Sequence, residues 1–427
     1  MTNAGAGEWR KGWGVVLAAF CCMWLSSVTF NSVGIFMRPL TDAFGWSRAD
    51  LAGAVTISAL AMALASPWVG KLADRWGPRR IGLVGCVIVC VLFGCLSLIQ
   101  SSVYSYLGMW LAIAIGSALA SPVIWTMGVA SRFRERRGLA LALALCGTSL
   151  AGVVTPPLGT ALIGAIGWRR AYVSLALILF LIAFPIAFAL FRDARDVAAP
   201  PRAKDGGPDI AGREGPPQQL SGLSLAEALR TARLWLMAIA LFMGSGSLLA
   251  LLVHLAPLLI DRGFTAMQAA SGVSCLALAA LGGKLSAGYL SDRVPARLIA
   301  AAVLALPAVA IVMLRESHDL ASALIASALV GVGSGAQLQL VPYLTTRYFG
   351  IRSYGGIYGL LFAIFQFGSA VSPMLTGMVY DRMGSYQPVL DVLAPACLVS
   401  GVLMLFLGPY PVFGAETRNE RLAAAVS

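Results

Sequence analysis

One lysine lies within an apolar stretch that the residue pattern predicts to be a helix, LAALGGKLSAGYLSDR at 278–293. Lys284 stands eight residues before Asp292, which is about 12 Å along a helix axis. That depth is roughly twice the comfortable reach of a snorkelling lysine side chain. An ammonium so deep in a membrane costs at least about 2.5–3.5 kcal/mol, and every acidic residue falls outside the apolar interiors. The sequence therefore predicts an anionic substrate as the partner of Lys284; the alternative is a lysine that snorkels to the interface.

Five further side chains are weaker candidates for the same site. His254 is predicted near the outer end of its helix, where it could hydrogen-bond the substrate or carry a proton. Asn31 and Gln366 are single amides in apolar segments, which either meet a cavity or join helices together. Trp125 and Tyr358 could line a cavity that holds an organic tail. For His254 and the two aromatic residues the alternative is packing within the helix bundle.

The composition is that of a membrane protein built from helices. Hydrophobic residues make up 59% of the chain and charged residues 12%, against about a quarter charged in soluble domains. Apolar runs near the ~20 residues that cross a bilayer recur along the whole length. They predict an all-α polytopic membrane protein with twelve transmembrane helices, at 13–36, 51–69, 81–99, 104–130, 139–165, 171–191, 234–259, 267–289, 298–314, 320–346, 355–379 and 388–410.

Three polar segments lie outside these spans: a linker, a short surface helix and a C-terminal tail. Residues 192–221 are rich in Pro, Gly and charged residues and predict a flexible linker, with a short surface helix at 224–233. The predicted domains are an N-terminal six-helix bundle (1–191), a linker with its surface helix (192–233) and a C-terminal six-helix bundle with a polar tail (234–427).

The net charge of +12 is explained by topology. Of the 31 basic residues, 23 fall on the predicted inner side and 7 on the outer side, with Lys284 between them. This asymmetry follows the positive-inside rule and places both termini in the cytoplasm. The basicity therefore does not indicate a nucleic-acid partner; the expected partners are membrane lipid, a small organic anion and protons.

The two halves repeat each other at a constant offset of 218 residues. Adding 218 to the first position gives the second in the pairs Pro39 and Pro257, Gly45 and Gly263, Gly70 and Gly288, Asp74 and Asp292, Arg75 and Arg293, Arg79 and Arg297, Gly138 and Gly356. Such an offset predicts two parallel six-helix bundles with the substrate between them near the membrane midplane. Lys284 corresponds to Ser66, so the buried cation belongs to one half only.

The sequence shows no motif that indicates catalysis. A nucleotide-binding loop, a paired-carboxylate site, a metal cluster and a nucleophile–base pair are all absent from the pattern. We therefore expect no enzyme activity, no cofactor and no metal. Without a phosphate-binding loop, transport would be secondary rather than driven by ATP.

The segment Gly70–Arg80, GKLADRWGPRR, resembles the loop signature of the major facilitator superfamily, and a weaker copy starts at Gly288. Within that superfamily the chain resembles monocarboxylate porters and their bacterial relatives, including the oxalate–formate exchanger. The supporting stretches are GWG at 12–14, GIF at 34–36, RYFG at 347–350, and KLSAG at 284–288, where those porters carry a carboxylate-binding arginine. The resemblance implies a latch that closes the cytoplasmic side, with Gly70, Asp74, Arg75, Arg79, Asp292 and Arg293 as its members; a plain solvated turn is the alternative.

Three departures from the family pattern bear on the substrate. Asn31 stands where mammalian relatives carry a helix-1 lysine, and Gln366 stands near the helix-11 cation of the oxalate exchanger. Both departures argue against binding of a dicarboxylate by two cations. Ala280 stands where an aspartate precedes the arginine by four residues, so the expected proton-carrying carboxylate is missing.

These features together predict a monomeric secondary transporter in the cytoplasmic membrane of a bacterium. Its substrate would be a small organic monocarboxylate, carried by alternating access through proton-linked symport. The alternatives are an anion exchanger, an efflux carrier for neutral or amphipathic compounds, and a transport-dead membrane solute sensor.

Overall fold

A computed structural model describes residues 3–192, 221–317 and 319–411 of the protein, and these residues are almost entirely helical. The predicted linker, apart from its two end residues, and the predicted tail after Pro411 lie outside the described residues. The helices are α1 (Asn3–Phe44), α2 (Arg48–Trp76), α3 (Pro78–Cys95), α4 (Val103–Leu119), α5 (Pro122–Arg132), α6 (Arg137–Leu190), α7 (Leu225–Leu229), α8 (Ala232–Asp261), α9 (Ala266–Ser291), α10 (Ala296–Glu316), α11 (Leu320–Phe349), α12 (Tyr354–Met383) and α13 (Gln387–Leu405).

Within the described ranges, 11 helical segments are long and apolar enough to cross a membrane. One of them, α6, has 54 residues, which would extend for about 81 Å, more than twice the ~30 Å hydrocarbon core. The chain turns back at Gly167, whose φ of 78° is not helical. Because α6 therefore supplies two spans, the prediction of twelve membrane-crossing segments in an all-helical fold is confirmed.

The helices extend beyond the predicted spans in two places. Residues 37–50 were placed outside the membrane, and α1 continues into them as far as Phe44. The signature segment 70–80 was predicted to be an inner loop, yet α2 reaches Trp76 and α3 begins at Pro78, with only Gly77 between them. In both places hydropathy marks the part of a helix inside the membrane, whereas the backbone hydrogen bonds continue into the polar residues beyond it.

The predicted span at 104–130 matches one candidate membrane-crossing segment, Val103–Arg132, but its helix is broken in the middle. Helix α4 ends at Leu119 and α5 begins at Pro122, with Ala120 and Ser121 outside helical bounds. Proline has no backbone N–H to donate to the preceding turn, so it suits the first position of a new helix. The apolar run continues through this break, which is why periodicity did not reveal it.

The internal repeat is visible in the local structure where α2 and α9 begin. Ser47 and Asp50 form a capping box, in which each backbone N–H donates to the other residue's side chain at 3.1 Å. Thr265 and Gln268, at the same 218-residue offset, form an equivalent box with distances of 3.0 and 3.3 Å. Each box follows a glycine with positive φ, Gly45 and Gly263. The offset therefore describes two structurally equivalent helix starts.

The two halves meet most extensively along two pairs of helices. Helix α2 of the N-terminal half packs against α12, and α6 packs against α9. The second pair runs antiparallel, because Gly138 contacts Gly288 and Asp292 while Thr148 contacts Lys284. The lysine singled out from the sequence is thus carried on a helix that borders the interface between the halves.

Candidate functional site

Lys284 lies at the interface between the halves, where α9 contacts α6. Its side chain is 6% exposed. The ammonium Nζ donates to Thr148 Oγ1 and to Ser149 Oγ, each at 2.7 Å. Both hydroxyls belong to α6, in the other half of the protein. The cation of the C-terminal half is therefore held by neutral groups of the N-terminal half.

No carboxylate of the described residues lies within 4 Å of the Lys284 ammonium. One turn before it, α9 has Ala280. Thr148 donates its own proton to the Leu145 carbonyl at 2.8 Å, so its hydroxyl oxygen can only accept from the lysine. Two neutral hydroxyls orient an ammonium but do not balance its charge. The arrangement therefore leaves the ammonium able to bind an anion that competes with the two hydroxyls.

Asn31 of α1 lies against the face of α6 that Lys284 of α9 also contacts. Its Oδ1 lies 3.6 Å from the position that a Cβ on Gly152 would occupy. Gly152 follows Thr148 by one helical turn, on the same side of α6. The side-chain amide donates from Nδ2 to the Ser27 carbonyl at 2.7 Å. Asn31 is thus within about one turn of the lysine, with its Oδ1 directed toward α6.

Gln366 and Tyr358 lie on α12. Gln366 is half-buried, and within the described residues it has no hydrogen-bond partner. Tyr358 is wholly buried, and in the same part of the chain its hydroxyl has no partner either. One turn earlier, the Tyr354 hydroxyl donates to Thr126 Oγ1 of the N-terminal half at 3.0 Å. Tyr358 therefore lies beside a contact between the halves, on the α2–α12 side.

His254 lies on α8 and is engaged inside the C-terminal half. Its Nε2 is 3.0 Å from the Pro373 carbonyl, and its Nδ1 is 3.1 Å from the Tyr386 hydroxyl. A carbonyl can only accept, so Nε2 carries the proton and Nδ1 accepts from the tyrosine. Both ring nitrogens are therefore hydrogen-bonded within the C-terminal half, as expected for a histidine that packs inside the bundle.

Trp125 is fully buried inside the N-terminal half. Its Nε1 donates to the Ala120 carbonyl at 2.8 Å. The ring meets Phe191 edge-on, with 4.9 Å between centroids, and covers Gly82 of α3. These contacts give Trp125 a packing role that joins α3, α5 and the end of α6.

Two aspartates connect the halves at the end of the bundle where α2 and α9 end and α6 and α12 begin, here called the closed end. Asp74 accepts from the backbone N–H groups of Gly355 and Gly356, at 2.8 and 2.7 Å. Asp292 accepts from those of Gly138 and Leu139, at 2.7 and 3.1 Å. In each case a carboxylate of one half meets the first turn of a helix of the other half. Unpaired N–H groups and the helix dipole favour a negative charge there.

Glycines allow the backbones to touch at the closed end. A Cβ on Gly70 would lie 1.9 Å from the Gly355 oxygen, and a Cβ on Gly138 would lie 2.4 Å from the Gly288 oxygen. Burial raises the pKa of the Asp292 carboxyl above its ordinary value, because desolvation outweighs the two N–H groups that it accepts from. The structure is closed at this end.

The other residues of the predicted latch do not make these contacts. Arg75 is exposed. Arg79 donates to the Phe188 carbonyl at 2.7 Å, within its own half. The Arg293 guanidinium stacks over the Tyr289 ring at 3.6 Å from its centroid, on its own helix. The signature thus combines Asp74, which crosses between halves, with Arg79, which contacts its own half, as Arg293 does in the repeat.

Two candidates for the site were missed from the sequence: Thr148 and Ser149, which accept hydrogen bonds from the lysine. Two side chains of α11 are also engaged near the closed end, where Gln339 Nε2 donates to the Gly138 carbonyl at 3.0 Å and the Tyr343 hydroxyl donates to the Ser291 carbonyl at 2.5 Å. An adjacent Thr–Ser pair in an apolar helix was the available signal for the first two. Because such hydroxyls usually bond to their own helix, the signal is weak.

Comparison with known proteins agrees with this architecture. The family model described as Major Facilitator Superfamily matches residues 19–335 and 273–426. Human monocarboxylate transporter 11 is 29% identical, over 95% of this chain and 83% of its own length. Monocarboxylate transporter 13 of Bos taurus is 28% identical, over 96% of this chain and 92% of its own.

Among solved structures, the fucose:proton symporter of E. coli superposes with a TM-score of 0.69 at 15% identity, covering 92% of this chain and 98% of that one. This likeness concerns the fold. With the family model matched along nearly the whole sequence, the chain belongs to the Major Facilitator Superfamily.

Proposed function

We propose that the protein is a secondary active transporter of a small organic monocarboxylate and that Lys284 binds the carboxylate. The observation that carries this proposal is a buried ammonium at the interface of the halves, held by two neutral hydroxyls. One cation matches one carboxylate. The relatives named as monocarboxylate transporters support the same substrate class.

The proposed mechanism is alternating access, and it is supported by the contacts between the halves at the closed end. On the positive-inside count we place the closed end and both termini at the cytoplasm, and in this proposal the closed state takes substrate from outside. Asp74 and Asp292 act as the latch that holds the cytoplasmic side shut, and Lys284 lies about 12 Å further in along α9. In this proposal the transporter works as a monomer in a bacterial cytoplasmic membrane.

The proposal is tested first with the purified protein in liposomes. Radiolabelled lactate, pyruvate, acetate and benzoate are offered outside, and the counts retained inside are compared with those of empty liposomes. We expect saturable uptake of at least one acid, inhibited by unlabelled acid but not by its amide. If neutral or amphipathic compounds are carried and no acid is, the efflux-carrier alternative is correct. Saturable binding without transport would identify a solute sensor.

Coupling to protons is the preferred mechanism, and a pH gradient distinguishes it from exchange. In the interior of the described spans no carboxylate is available to carry a proton, so the proton would travel on the substrate, on His254 or on Lys284. We expect uptake to rise when the outside is more acidic than the inside, with no substrate inside. Stimulation only by internal substrate, with no response to the gradient, would instead establish anion exchange.

The latch assignment predicts a conformational effect for Asp74→Asn. Each carboxylate oxygen accepts one backbone N–H, and an amide retains only one acceptor, so the closed end is weakened. A hydrogen bond to a charged group contributes about 1.5–3 kcal/mol, and we expect maximal transport to fall roughly tenfold. The affinity of the site should change much less, because Lys284 is distant. Asp50→Asn, at the opposite end of α2, is the matched control. Lost affinity with unchanged conformational populations would contradict the assignment.

A further inference from the structure

We propose that Thr148 and Ser149 act as an internal stand-in for the substrate carboxylate and thereby allow the empty transporter to change conformation. The inference rests on the function proposed above. In this inference the two hydroxyls allow the empty protein to return, so that net transport is possible and exchange is not obligatory. They are positioning residues for Lys284, and they matter only when no acid is bound.

The geometry supports a dedicated pair of acceptors. Both hydroxyl oxygens lie 2.7 Å from the same ammonium, and they belong to consecutive residues of a helix in the opposite half. Thr148 is fixed as an acceptor because its proton is used by the Leu145 carbonyl. Consecutive helical residues are about 100° apart around the axis, so the two oxygens reach Nζ from two sides. The pair thus supplies acceptors for two of the three protons of the ammonium.

The need for such a pair follows from the charge of the empty site. A buried ammonium without hydrogen bonds would be strongly disfavoured in any closed intermediate between the two access states. A transporter with that problem could return only with substrate bound, which makes it an exchanger. Charge-assisted hydrogen bonds to Thr148 and Ser149 lower this barrier without an acidic residue. The empty protein can then complete its cycle.

Substrate binding removes the need for the hydroxyls. A carboxylate at Lys284 competes for the same ammonium protons and balances the charge as well, so it is the stronger partner. Loss of the hydroxyls should therefore leave the loaded step nearly unchanged and slow the empty step. Net uptake and exchange are affected differently, which separates this role from one in substrate binding or in folding.

The test compares two transport modes in the double variant Thr148→Val, Ser149→Ala, with an acid that the wild type transports. Net uptake is measured into liposomes without internal acid, and exchange into liposomes loaded with the same unlabelled acid. We expect net uptake to fall about tenfold or more, from the loss of two hydrogen bonds to a charge, and exchange to remain within about twofold. Thr148→Ser, which keeps its hydroxyl, should behave as wild type. Thr160→Val, on the exposed side of α6, is the matched control for the change in volume.

Two results would overturn the inference. An equal fall in net uptake and exchange would mean that the hydroxyls bind substrate or support the fold. Unchanged net uptake would mean that the empty site does not need them. Failure of the proposed function is recognised separately, since the wild type would then transport no acid in either mode.

Discussion

Lys284→Ala is expected to abolish acid uptake while leaving membrane insertion and the yield of purified protein unchanged. Removing the only buried cation of the described membrane spans eliminates the charge that would attract the carboxylate, and truncation of one member of a buried charged pair typically costs about 2–5 kcal/mol. Transport should therefore fall by a hundredfold or so. The fold does not depend on the charge, because Thr148 and Ser149 can bond to their own helix or to water. Initial uptake of a radiolabelled acid in liposomes measures the effect.

Two companion variants make this result specific. Lys284→Arg should retain part of the activity, since the charge stays but the planar guanidinium donates in a different geometry. Lys11→Ala removes an exposed lysine near the start of α1 and should behave as wild type. Acid uptake at the wild-type rate by Lys284→Ala would contradict the assigned role of the lysine.

Gly70→Ala is expected to prevent the closed end from forming and so to stop transport. The added Cβ would lie 1.9 Å from the Gly355 oxygen and 2.4 Å from its carbonyl carbon, and a backbone group cannot move aside as a flexible side chain can. The α2–α12 contact must separate, which leaves the protein open at that end. Net uptake should fall to the level of empty liposomes, although the substitution is among the smallest available.

A distance measurement distinguishes this effect from misfolding. Spin labels at Arg134→Cys and Arg352→Cys, exposed residues of opposite halves at the closed end, are placed in a background without the 8 native cysteines. The separation between the labels should increase in the Gly70→Ala variant. Gly53→Ala lies on the same helix, where the new Cβ meets only Leu107 at 3.5 Å, and should leave both distance and transport unchanged. An unaltered distance with normal uptake for Gly70→Ala would show that the contact does not control access.

The helical architecture was largely predictable because hydropathy and charge placement act on whole segments. The number of spans and the depth of Lys284 follow from apolar run lengths and helix rise. The ends of α1 and α2 were not predictable in this way, since a helix continues into water wherever its hydrogen bonds and caps allow. The break before Pro122 depends on local backbone geometry that an apolar run conceals.

The site itself was only partly predictable. A lysine in an apolar helix indicates that a partner is needed. A single sequence does not show which helix packs against it, so Thr148 and Ser149 were missed. Asn31 comes near this lysine because α1 packs on α6. His254 and Trp125 had the right residue types, yet their polar atoms are satisfied within their own halves. Hydrogen-bond satisfaction is a property of the packed structure, and composition does not reveal it.

The central claim, that the Lys284 ammonium recognises a carboxylate, is tested most directly by binding. The affinity of a transported acid and of its nearly isosteric neutral amide is measured calorimetrically for the wild type and for Lys284→Ala. We expect the wild type to prefer the acid by about tenfold or more, as for a hydrogen bond to a charged group, and the variant to bind acid and amide equally. A variant that keeps the full preference for the acid would contradict the account, since some other group would then recognise the charge.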